Sequence, residues 1–485
     1  MKVGTTWRIG LRVAVLGVAG MLVGAEPANA EPSAAAEAPP ASVGAGDTTP
    51  AVAEAAVPPQ EEDLPPGTFR IGAILFRPSV EVRERFETRL EPYTATGTGD
   101  DDYFVGSRVR LGAELTLDPV RVLVQVQDAR NLGQFAVGTD DGATTGLHQG
   151  FLEVRACCGW FRLGRQEITY GAQRMIGNFN WSTAGRSFDA LRTHWQWGDF
   201  GLDAFGAMTR VVRTISYTVT TGDPPVTETR SVRSEGDYLA GLEFSWTLGE
   251  PLGLEVTGLY RHDGPTEPPA GATDPAPSVG RDRDIASAGL RLHGTPVTGL
   301  SYDVEAAIQG GRAAGARHLA AAAAAELGYM FQVAGRPGFT LGGAYATGGA
   351  PGDSWTEFDN FFPTNHPFYG IADLFGWRNL FDGWARLSFA PVEAPVKASL
   401  AAHLLGLAEP GSRWANAGGV QLGVDPANTE SILGYELDVE LLWTPWRWLQ
   451  LGAGYAVFLP AAGAEALGHG DATHFAYVTA GSQLP

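Results

Sequence analysis

The sequence has 485 residues, of which 64 are glycine and 32 are proline, so about a fifth of it consists of the residue types that helix interiors tolerate least. This composition argues against a mostly helical protein. The chain carries 34 basic and 54 acidic residues, and its formal net charge of −20 argues against the broad basic face that a nucleic-acid-binding protein needs. Hydrophobic residues make up 44% of the chain, which excludes disorder throughout.

The start of the chain has the pattern of a secretory signal peptide at residues 1–30. Three basic residues precede a short apolar run at 13–23, and Ala28-Asn29-Ala30 offers the small residues that a signal peptidase recognises. Residues 31–68 are rich in alanine, proline and acidic residues, so we expect them to form a disordered periplasmic spacer. The predicted folded domain is therefore 69–485.

Beyond the spacer, apolar and polar residues alternate as they do in β-strands. In the first segment Val80 and Phe86 fall on one side, and Arg83 and Arg85 fall on the other. Eighteen alternating segments follow one another along the chain. They lie near 79–91, 105–117, 120–127, 149–156, 160–167, 187–197, 200–210, 237–248, 252–262, 284–293, 299–309, 318–331, 338–347, 379–389, 396–407, 432–443, 448–458 and 472–480.

The connections between these segments alternate between short turns and mostly long loops. The clearest short turns are 118–119, 158–159, 198–199, 250–251 and 444–447, and the clearest long loops are 131–147, 168–186, 213–236, 263–283, 348–378 and 408–430. Lipid cannot hydrogen-bond a backbone, so a sheet spans a membrane only as a closed barrel. The sequence therefore predicts an all-β fold, a transmembrane antiparallel β-barrel of about 18 strands in the bacterial outer membrane, with short periplasmic turns and long extracellular loops.

Tryptophan positions support this prediction. Amphipathic rings favour the membrane interface, whereas tryptophans that packed a soluble core would be scattered along the strands. Six tryptophans fall at the predicted short-turn ends: Trp160, Trp197, Trp246, Trp443, Trp446 and Trp448.

Several motifs lie in and around the long loops. They are LGRQE at 163–167, YGAQR at 170–174, GRSFD at 185–189, QVQDAR at 125–130, GWRN at 376–379 and GYELD at 434–438. Together they resemble the alginate export family of outer-membrane barrels, and the similarity extends from about Pro78 to Tyr477. The resemblance implies a monomeric eighteen-stranded barrel that passes the anionic polysaccharide alginate outward through an arginine-lined lumen.

The alternation also predicts which charges face the lumen. The first six strands place nine arginines inward against four glutamates, strands seven to twelve place six acidic residues inward against one arginine, and the last six are slightly acidic. One arc of the wall is thus predicted to be basic and the facing arc acidic. We expect the solute pathway to include Arg83, Arg85, Arg108, Arg110, Arg121, Arg155, Arg162, Arg192, Arg386, Glu436 and Asp438.

Guanidinium rows offer two-pronged sites for carboxylates, so these arginines are candidates for guiding an anionic polysaccharide or oligosaccharide. The alternative is that the charges pair across neighbouring strands and only fix the shape of the barrel. Pairing is the preferred interpretation for the first strand, and the pathway is preferred for Arg108, Arg110, Arg121 and Arg192.

The loop 168–186 contains four glycines and two arginines, and it is either a constriction folded into the pore or a solvated loop. For the constriction we name Arg174, Arg186 and Asp189. Two short stretches, at 128–130 and 165–167, place charges in phase with outward residues, which indicates that the strand has left the hydrocarbon or contains a bulge.

Other functions have less support in the sequence. No Ser/His/acid set is evident, so we expect no enzymatic activity, and nothing indicates a cofactor or a metal. Besides membrane lipid, the expected partners are a periplasmic export partner and lipopolysaccharide. The acidic clusters 100–102 and 140–141 could bind lipopolysaccharide through divalent ions, and the alternative is that they are plain solvated loops.

Two alternatives to a polysaccharide channel stay open. A general or small-anion porin is the alternative channel, and a non-conducting adhesin or structural barrel is the alternative of another class. No function is assigned to the adjacent cysteines Cys157 and Cys158, which are too close in the chain for an ordinary disulfide.

Overall fold

The structure is a computed structural model that describes residues 64–133, 144–210, 213–221, 226–234, 236–264, 272–273, 283–313, 315–349, 354–392 and 394–484. The predicted signal peptide, most of the predicted spacer and the acidic cluster 140–141 lie outside these residues. None of the helices in the described ranges has the length and hydropathy that a bilayer span requires.

Eighteen strands form one closed antiparallel barrel. Each strand pairs with the next along the chain, and the last pairs with the first, with Leu484 opposite Val80 and His474 opposite Leu90. The strands are β1 (Ile74–Leu90), β2 (Asp102–Leu117), β3 (Val120–Leu132), β4 (Thr144–Ala156), β5 (Gly159–Gln166), β6 (Phe188–Trp197), β7 (Phe200–Arg210), β8 (Asp237–Thr247), β9 (Gly253–Asp263), β10 (Arg283–Val297), β11 (Leu300–Ala313), β12 (Ala316–Met330), β13 (Pro337–Ala346), β14 (Leu380–Phe389), β15 (Val396–Gly406), β16 (Ile432–Trp446), β17 (Leu449–Pro460) and β18 (Thr473–Leu484). Each predicted segment overlaps one of these strands, so the predicted fold is confirmed.

The barrel has one end with short turns and one with mostly long loops. At the first, the short-turn end, two residues join β2 to β3, β4 to β5 and β6 to β7. At the second, the long-loop end, only the β11–β12 connection at 314–315 is equally short.

The structure also contains several short strands and one short helix outside the eighteen barrel strands of the described chain. A strand at Phe69–Ile71 pairs with the start of β1, and Ser354–Trp355 pairs with β12. The small pairs Tyr93–Thr94 with Gly97–Thr98 and Trp414–Ala415 with Gln421–Gly423 lie in loops, and the helix of the described chain is Ala462–Ala466.

The region 213–236 was expected to be a loop but contains a β-hairpin. Its strands are Arg213–Thr221 and Val226–Ser234, and the first also pairs with Ala272–Thr273 of the following loop. Both strands are rich in Thr and Val, which favour strands, so the signal was in the sequence. The alternation analysis missed it because polar residues outnumber apolar ones in both segments.

The two faces of the barrel wall have opposite character. Outward side chains are apolar and exposed, with Leu163, Ile308 and Leu319 at 62%, 64% and 67% exposure. Inward positions are charged and covered, and Arg85 and Glu153 are only 3% and 2% exposed. An apolar outer surface around a polar interior is stable in lipid.

Aromatic side chains form a belt near each end of the outer face. At the long-loop end the exposed rings are Tyr103, Tyr238, Tyr260, Tyr345, Tyr435 and Tyr455. At the short-turn end they include Trp197, Phe200, Tyr329, Phe331, Phe389, Trp446 and Trp448. Trp160 was predicted to belong to this belt and does not, because it shares the inward face with Arg162 and stacks on His194.

The described residues of three long loops, 168–186, 347–379 and 407–431, fold into the barrel and create an apolar core there. Its largest fully buried side chains include Phe358, Tyr369, Trp377 and Trp414. Trp414 also donates a hydrogen bond from Nε1 to the Leu374 carbonyl at 2.9 Å, which ties the last two loops together. The lumen is therefore packed by protein at the long-loop end.

Candidate functional site

The loop 168–186 extends across the whole lumen. On one wall Arg83 of β1 donates to the carbonyl oxygen of Ser182 at 2.8 Å, and Arg108 of β2 donates to that of Asn180 at 3.3 Å. On the other wall the loop's Arg174 Nη1 lies 3.2 Å from Glu305 Oε2 of β11. Because β2 and β11 are nine strands apart in a ring of eighteen, the loop bridges opposite walls.

Two further arginines of the basic wall are buried beneath this loop. Arg85 forms an ion pair with Glu87, and its guanidinium lies 3.8 Å from the ring centroid of Trp181. Arg110 contacts Glu81 at 3.4 Å and is 3% exposed. These arginines face the lumen, but the loop covers them.

A second arginine group surrounds a single carboxylate closer to the short-turn end. Arg121, Arg155 and Arg162 contact Glu153 at 3.3, 3.3 and 2.6 Å, and Arg121 also contacts Glu114 at 2.7 Å. The side chain of Arg155 remains 46% exposed. The group has three guanidiniums for two carboxylates and keeps an excess positive charge next to solvent.

Arg192 lies where the basic arc meets the acidic arc. Its Nε is 2.9 Å from Asp203 Oδ1, and the hydroxyl of Tyr170 donates to the same oxygen at 2.8 Å. The backbone N–H of Gly171 donates to Glu243 at 3.1 Å. The acidic side chains of β7 and β8 thus hold the start of the loop.

The acidic wall also contains a basic residue beyond the one arginine that the alternation placed inward there. Arg291 of β10 faces inward, where it pairs with Asp303 and with Glu255 at 3.1 Å. Arg291 and Arg174 together reduce the acidic excess of this wall.

Glu436 and Asp438 hold the second inward loop. The N–H of Ala372 donates to Glu436 at 2.8 Å, and the N–H of Ile371 donates to Asp438 at 3.4 Å. Glu436 is 0% exposed and Asp438 is 4% exposed. Both carboxylates face inward, but a solute reaches them only if the loop 347–379 moves.

The two inward loops are joined to each other near the barrel axis. Ile176 and Phe362 form a parallel β-bridge, and the N–H of Gly177 donates to the Phe362 carbonyl at 2.9 Å. The rings of Trp181 and His366 stack with centroids 3.6 Å apart. Movement of one loop therefore requires movement of the other or loss of these contacts.

Arg386 of β14 differs from most of the predicted pathway arginines. Within the described residues no carboxylate forms an ion pair with it, and its guanidinium lies 4.9 Å from the Trp384 ring. Arg386 lines two adjoining cavities of about 90 and 180 Å³, one bordered by Arg174 and the other by Asp438.

The predictions for Arg186 and Asp189 have different outcomes. Arg186 lies between the two inward loops and donates hydrogen bonds to the carbonyls of Gly177 at 3.1 Å and Pro363 at 3.0 Å. Burial lowers its pKa to about 10.

Asp189 was assigned to the constriction, and this assignment is wrong. It belongs to strand β6, is exposed on the outer face and pairs with Arg165 at 2.6 Å. The same pair accounts for the out-of-phase charge at 165.

A polar recess of about 540 Å³ extends from the loop 168–186 towards the short-turn end. Its charged lining consists of four arginines and two glutamates, namely Arg83, Arg108, Arg110, Arg447, Glu81 and Glu167. The recess therefore has an excess of positive charge.

The alternation analysis did not find a buried charge cluster near the long-loop end. Arg283 contacts Asp359 at 2.8 Å, Arg261 contacts it at 3.6 Å, and Arg378 lies 4.0 Å away. Burial alone would raise the pKa of the Asp359 carboxyl, but the three arginines outweigh this effect and hold its pKa well below the usual range. The cluster fastens the loop 347–379 to β9 and β10.

One signal in the sequence pointed to these buried loops. Residues 347–379 contain eight aromatic residues in 33 positions, whereas aromatic residues make up 10% of the chain. A solvated loop has no use for so many large apolar rings, so this composition indicates packing.

A closed barrel with an apolar outer face, two aromatic belts and a charged lumen defines a bacterial outer-membrane β-barrel, and its relatives identify it as an outer-membrane channel. Residues 78–474 match the model of the Alginate export family, and the chain belongs to this family. No curated protein sequence gives a match.

Solved structures with the same fold come from Pseudomonas aeruginosa. OccK5 (OpdH) is 11% identical with a TM-score of 0.54, and the alignment covers 84% of this chain and 98% of that one. OccK8 (OprE) is 13% identical with a TM-score of 0.54 and the same coverage. OccK11 (OpdR) is 12% identical with a TM-score of 0.53, covering 84% of this chain and 96% of that one. At these identities the likeness concerns the fold.

Proposed function

We propose that this channel passes an anionic, alginate-like polysaccharide or oligosaccharide through its lumen and has no enzymatic activity. The observation that carries the proposal is the polar recess, whose lining has four arginines and two glutamates although the whole chain has a net charge of −20. Positive charge concentrated in the lumen of an acidic protein favours anionic solutes.

Arg83 can exchange its hydrogen bonds to the loop 168–186 for hydrogen bonds to a uronate carboxylate. Its Nη1 and Nη2 groups donate to neutral backbone carbonyls of the loop 168–186 rather than to an acidic side chain. A carboxylate accepts two parallel hydrogen bonds from a guanidinium and binds it more strongly than a carbonyl does. An arriving uronate can therefore replace the loop on Arg83 without leaving a buried protein carboxylate unpaired.

The arginines define a path of three stages. Arg155, Arg121 and Arg162 near the periplasmic mouth attract the anion, the recess at Arg83 and Arg108 receives it, and Arg386 contacts it farther round the wall. Passage requires the loop 168–186 to leave Arg108 and Arg110, which are 4% and 3% exposed. We propose that this loop is the constriction of the channel, with Arg174 and Arg186 as its anchors, and that one monomeric barrel is sufficient.

One observation favours a small-anion porin as a second candidate. The cavities beside Arg386 are about 90 and 180 Å³, which is small for a polymer chain unless both inward loops move. Solute length separates the two candidates, because a polymer pathway binds longer chains more tightly, whereas a porin for small anions excludes them.

Planar-bilayer recording with uronate oligomers of increasing length tests the proposal. We expect block of the ionic current that strengthens with length, no block by neutral dextran, and weaker block in R83Q. The matched control is R165Q, because Arg165 is an exposed arginine on the outer face. Block that is absent or independent of charge would refute the proposal, and block by monomers only would favour the porin. No conductance under any condition would favour the adhesin or structural barrel.

A further inference from the structure

Two arginines face outward side by side at the long-loop end of the barrel. Arg312 of β11 and Arg317 of β12 are directly opposite each other in the strand register, and both are exposed. They share the outer face with Ile308 and Leu319, since all four positions are in phase. Like charges placed opposite each other on neighbouring strands destabilise the pair. An arrangement of this kind suggests that an anion offsets the repulsion.

The described residues place one carboxylate beside this arginine pair, and its hydrogen bonds go to other side chains. Among the residues that the structure describes, no carboxylate forms an ion pair with either guanidinium. The acidic residue next to Arg312 in the register is Asp284, and its carboxylate is bound by the Tyr260 hydroxyl at 2.7 Å and by His262 Nδ1 at 2.8 Å. The two arginines therefore keep their hydrogen-bonding capacity for a group outside the protein.

The height of the pair in the membrane indicates what that group is. Tyr345 of the aromatic belt, on the neighbouring strand β13, lies opposite Ala323, which is six residues from Arg317 towards the middle of the barrel. Between these two levels the outer face is apolar, and Leu319 and Ile308 are 67% and 64% exposed. The belt marks the boundary between hydrocarbon and headgroups. Arg312 and Arg317 therefore lie beyond that boundary on the headgroup side, and the apolar side chains of Leu319 and Ile308 lie between them and the belt. A ligand that fits has a phosphate or other anionic headgroup above and acyl chains below.

We propose that Arg312 and Arg317 form a binding site for the phosphorylated sugar headgroup of lipopolysaccharide. Guanidinium groups bind phosphate through paired hydrogen bonds, and the flat apolar strip formed by Ile308, Leu319 and neighbouring alanines receives an acyl chain. The site lies outside the lumen, so it does not depend on the proposed transport function. It also needs no divalent ion, unlike a contact made through acidic loops.

The test measures binding of Kdo2-lipid A to the full-length purified barrel by native mass spectrometry, in a chelator that removes divalent ions. Each arginine near a charged membrane surface contributes about fivefold to lipid binding, so we expect R312Q/R317Q to bind about 30-fold more weakly than the parent protein. R165Q removes an outward arginine that is paired with Asp189, and it should bind like the parent protein. R312K/R317K, which keeps the charge but loses the paired geometry, should fall between the two.

A second measurement with the unmodified protein does not depend on the folding of any variant. We expect lipid A from which both phosphates have been removed to bind at least tenfold more weakly than the phosphorylated form. Equal binding of the two lipids would overturn the proposal, and so would unchanged binding by a heat-modifiable, folded R312Q/R317Q. Conductance should be the same in R312Q/R317Q and in the parent protein, so failure of this proposal and failure of the transport proposal are distinguishable.

Discussion

Replacement of Arg174 by methionine should open the channel. The ion pair of Arg174 with Glu305 spans 3.2 Å, and the two side chains are 7% and 12% exposed. Removing one partner of a buried pair costs about 3–5 kcal/mol, because the other charge is left without compensation. Two further polar contacts of the loop with this wall, Tyr170 to Asp203 and Gly171 to Glu243, are single hydrogen bonds to carboxylates that contribute about 1.5–3 kcal/mol each. The Tyr170 ring also packs against Phe205.

Arg174 therefore supplies the strongest single contact of the loop 168–186 with the acidic wall. Since 1.4 kcal/mol corresponds to a factor of ten, a loss of about 3 kcal/mol from the closed arrangement alone shifts the closed-to-open ratio by about 100-fold. Single-channel recording should show this shift as a larger open fraction or a larger unitary conductance. Methionine keeps an apolar stem of similar length and removes only the guanidinium, which contacts Glu305 and lies 4.0 Å from the centroid of the Phe368 ring, so the effect is one of charge.

Two controls define the result. R165M removes an arginine from an exposed pair on the outer face, where ion pairs contribute about 0–1 kcal/mol, and should leave conductance unchanged. The double variant R174M/E305M removes the unpaired carboxylate and should restore part of the closed state. If R174M conducts like R165M, the loop does not act as a constriction held by Arg174, and the reasoning is refuted.

Three further predictions concern other parts of the molecule. R386Q should lower anion selectivity, measured as the reversal potential in a salt gradient, and should lower thermal stability less than loss of the directly paired Arg291 does, because no carboxylate of the described residues lies within ion-pair distance of Arg386. D359N should melt at a lower temperature than the parent protein at pH 7. A carboxyl whose folded pKa is depressed stabilises the fold above its unfolded pKa of about 3.9, and this stabilisation is lost as the pH falls through the folded pKa. The difference in melting temperature between D359N and the parent protein should therefore shrink below about pH 4. A difference that stays constant with pH would contradict the role assigned to Asp359. Cys157, exposed in the two-residue turn at the short-turn end, should react with a membrane-impermeant maleimide only after the outer membrane is permeabilised, and labelling of intact cells would reverse the orientation.

The strands and the closed barrel could be predicted from the sequence because alternation is a local property. Val80, Arg83 and Phe86 reveal the two faces of β1 without any knowledge of its neighbours. The even number of segments and the alternation of short and long connections then predict a closed barrel in a membrane, because only a closed sheet satisfies every backbone hydrogen bond there. The inward direction of Arg108, Arg121, Arg192 and Glu436 follows from the same local rule.

Only the tertiary structure decided what those inward side chains contact. Arg174 and Glu305 are 131 residues apart, and Trp181 and His366 come from different loops, so no local pattern connects them. Loops that fold inward are held by many weak, non-periodic contacts among rings, carbonyls and guanidiniums, and such contacts leave at most a trace in composition. For that reason the sequence determined the wall of this channel and the sign of its charges, whereas the packing of the loops against that wall decided which charges remain available to a solute.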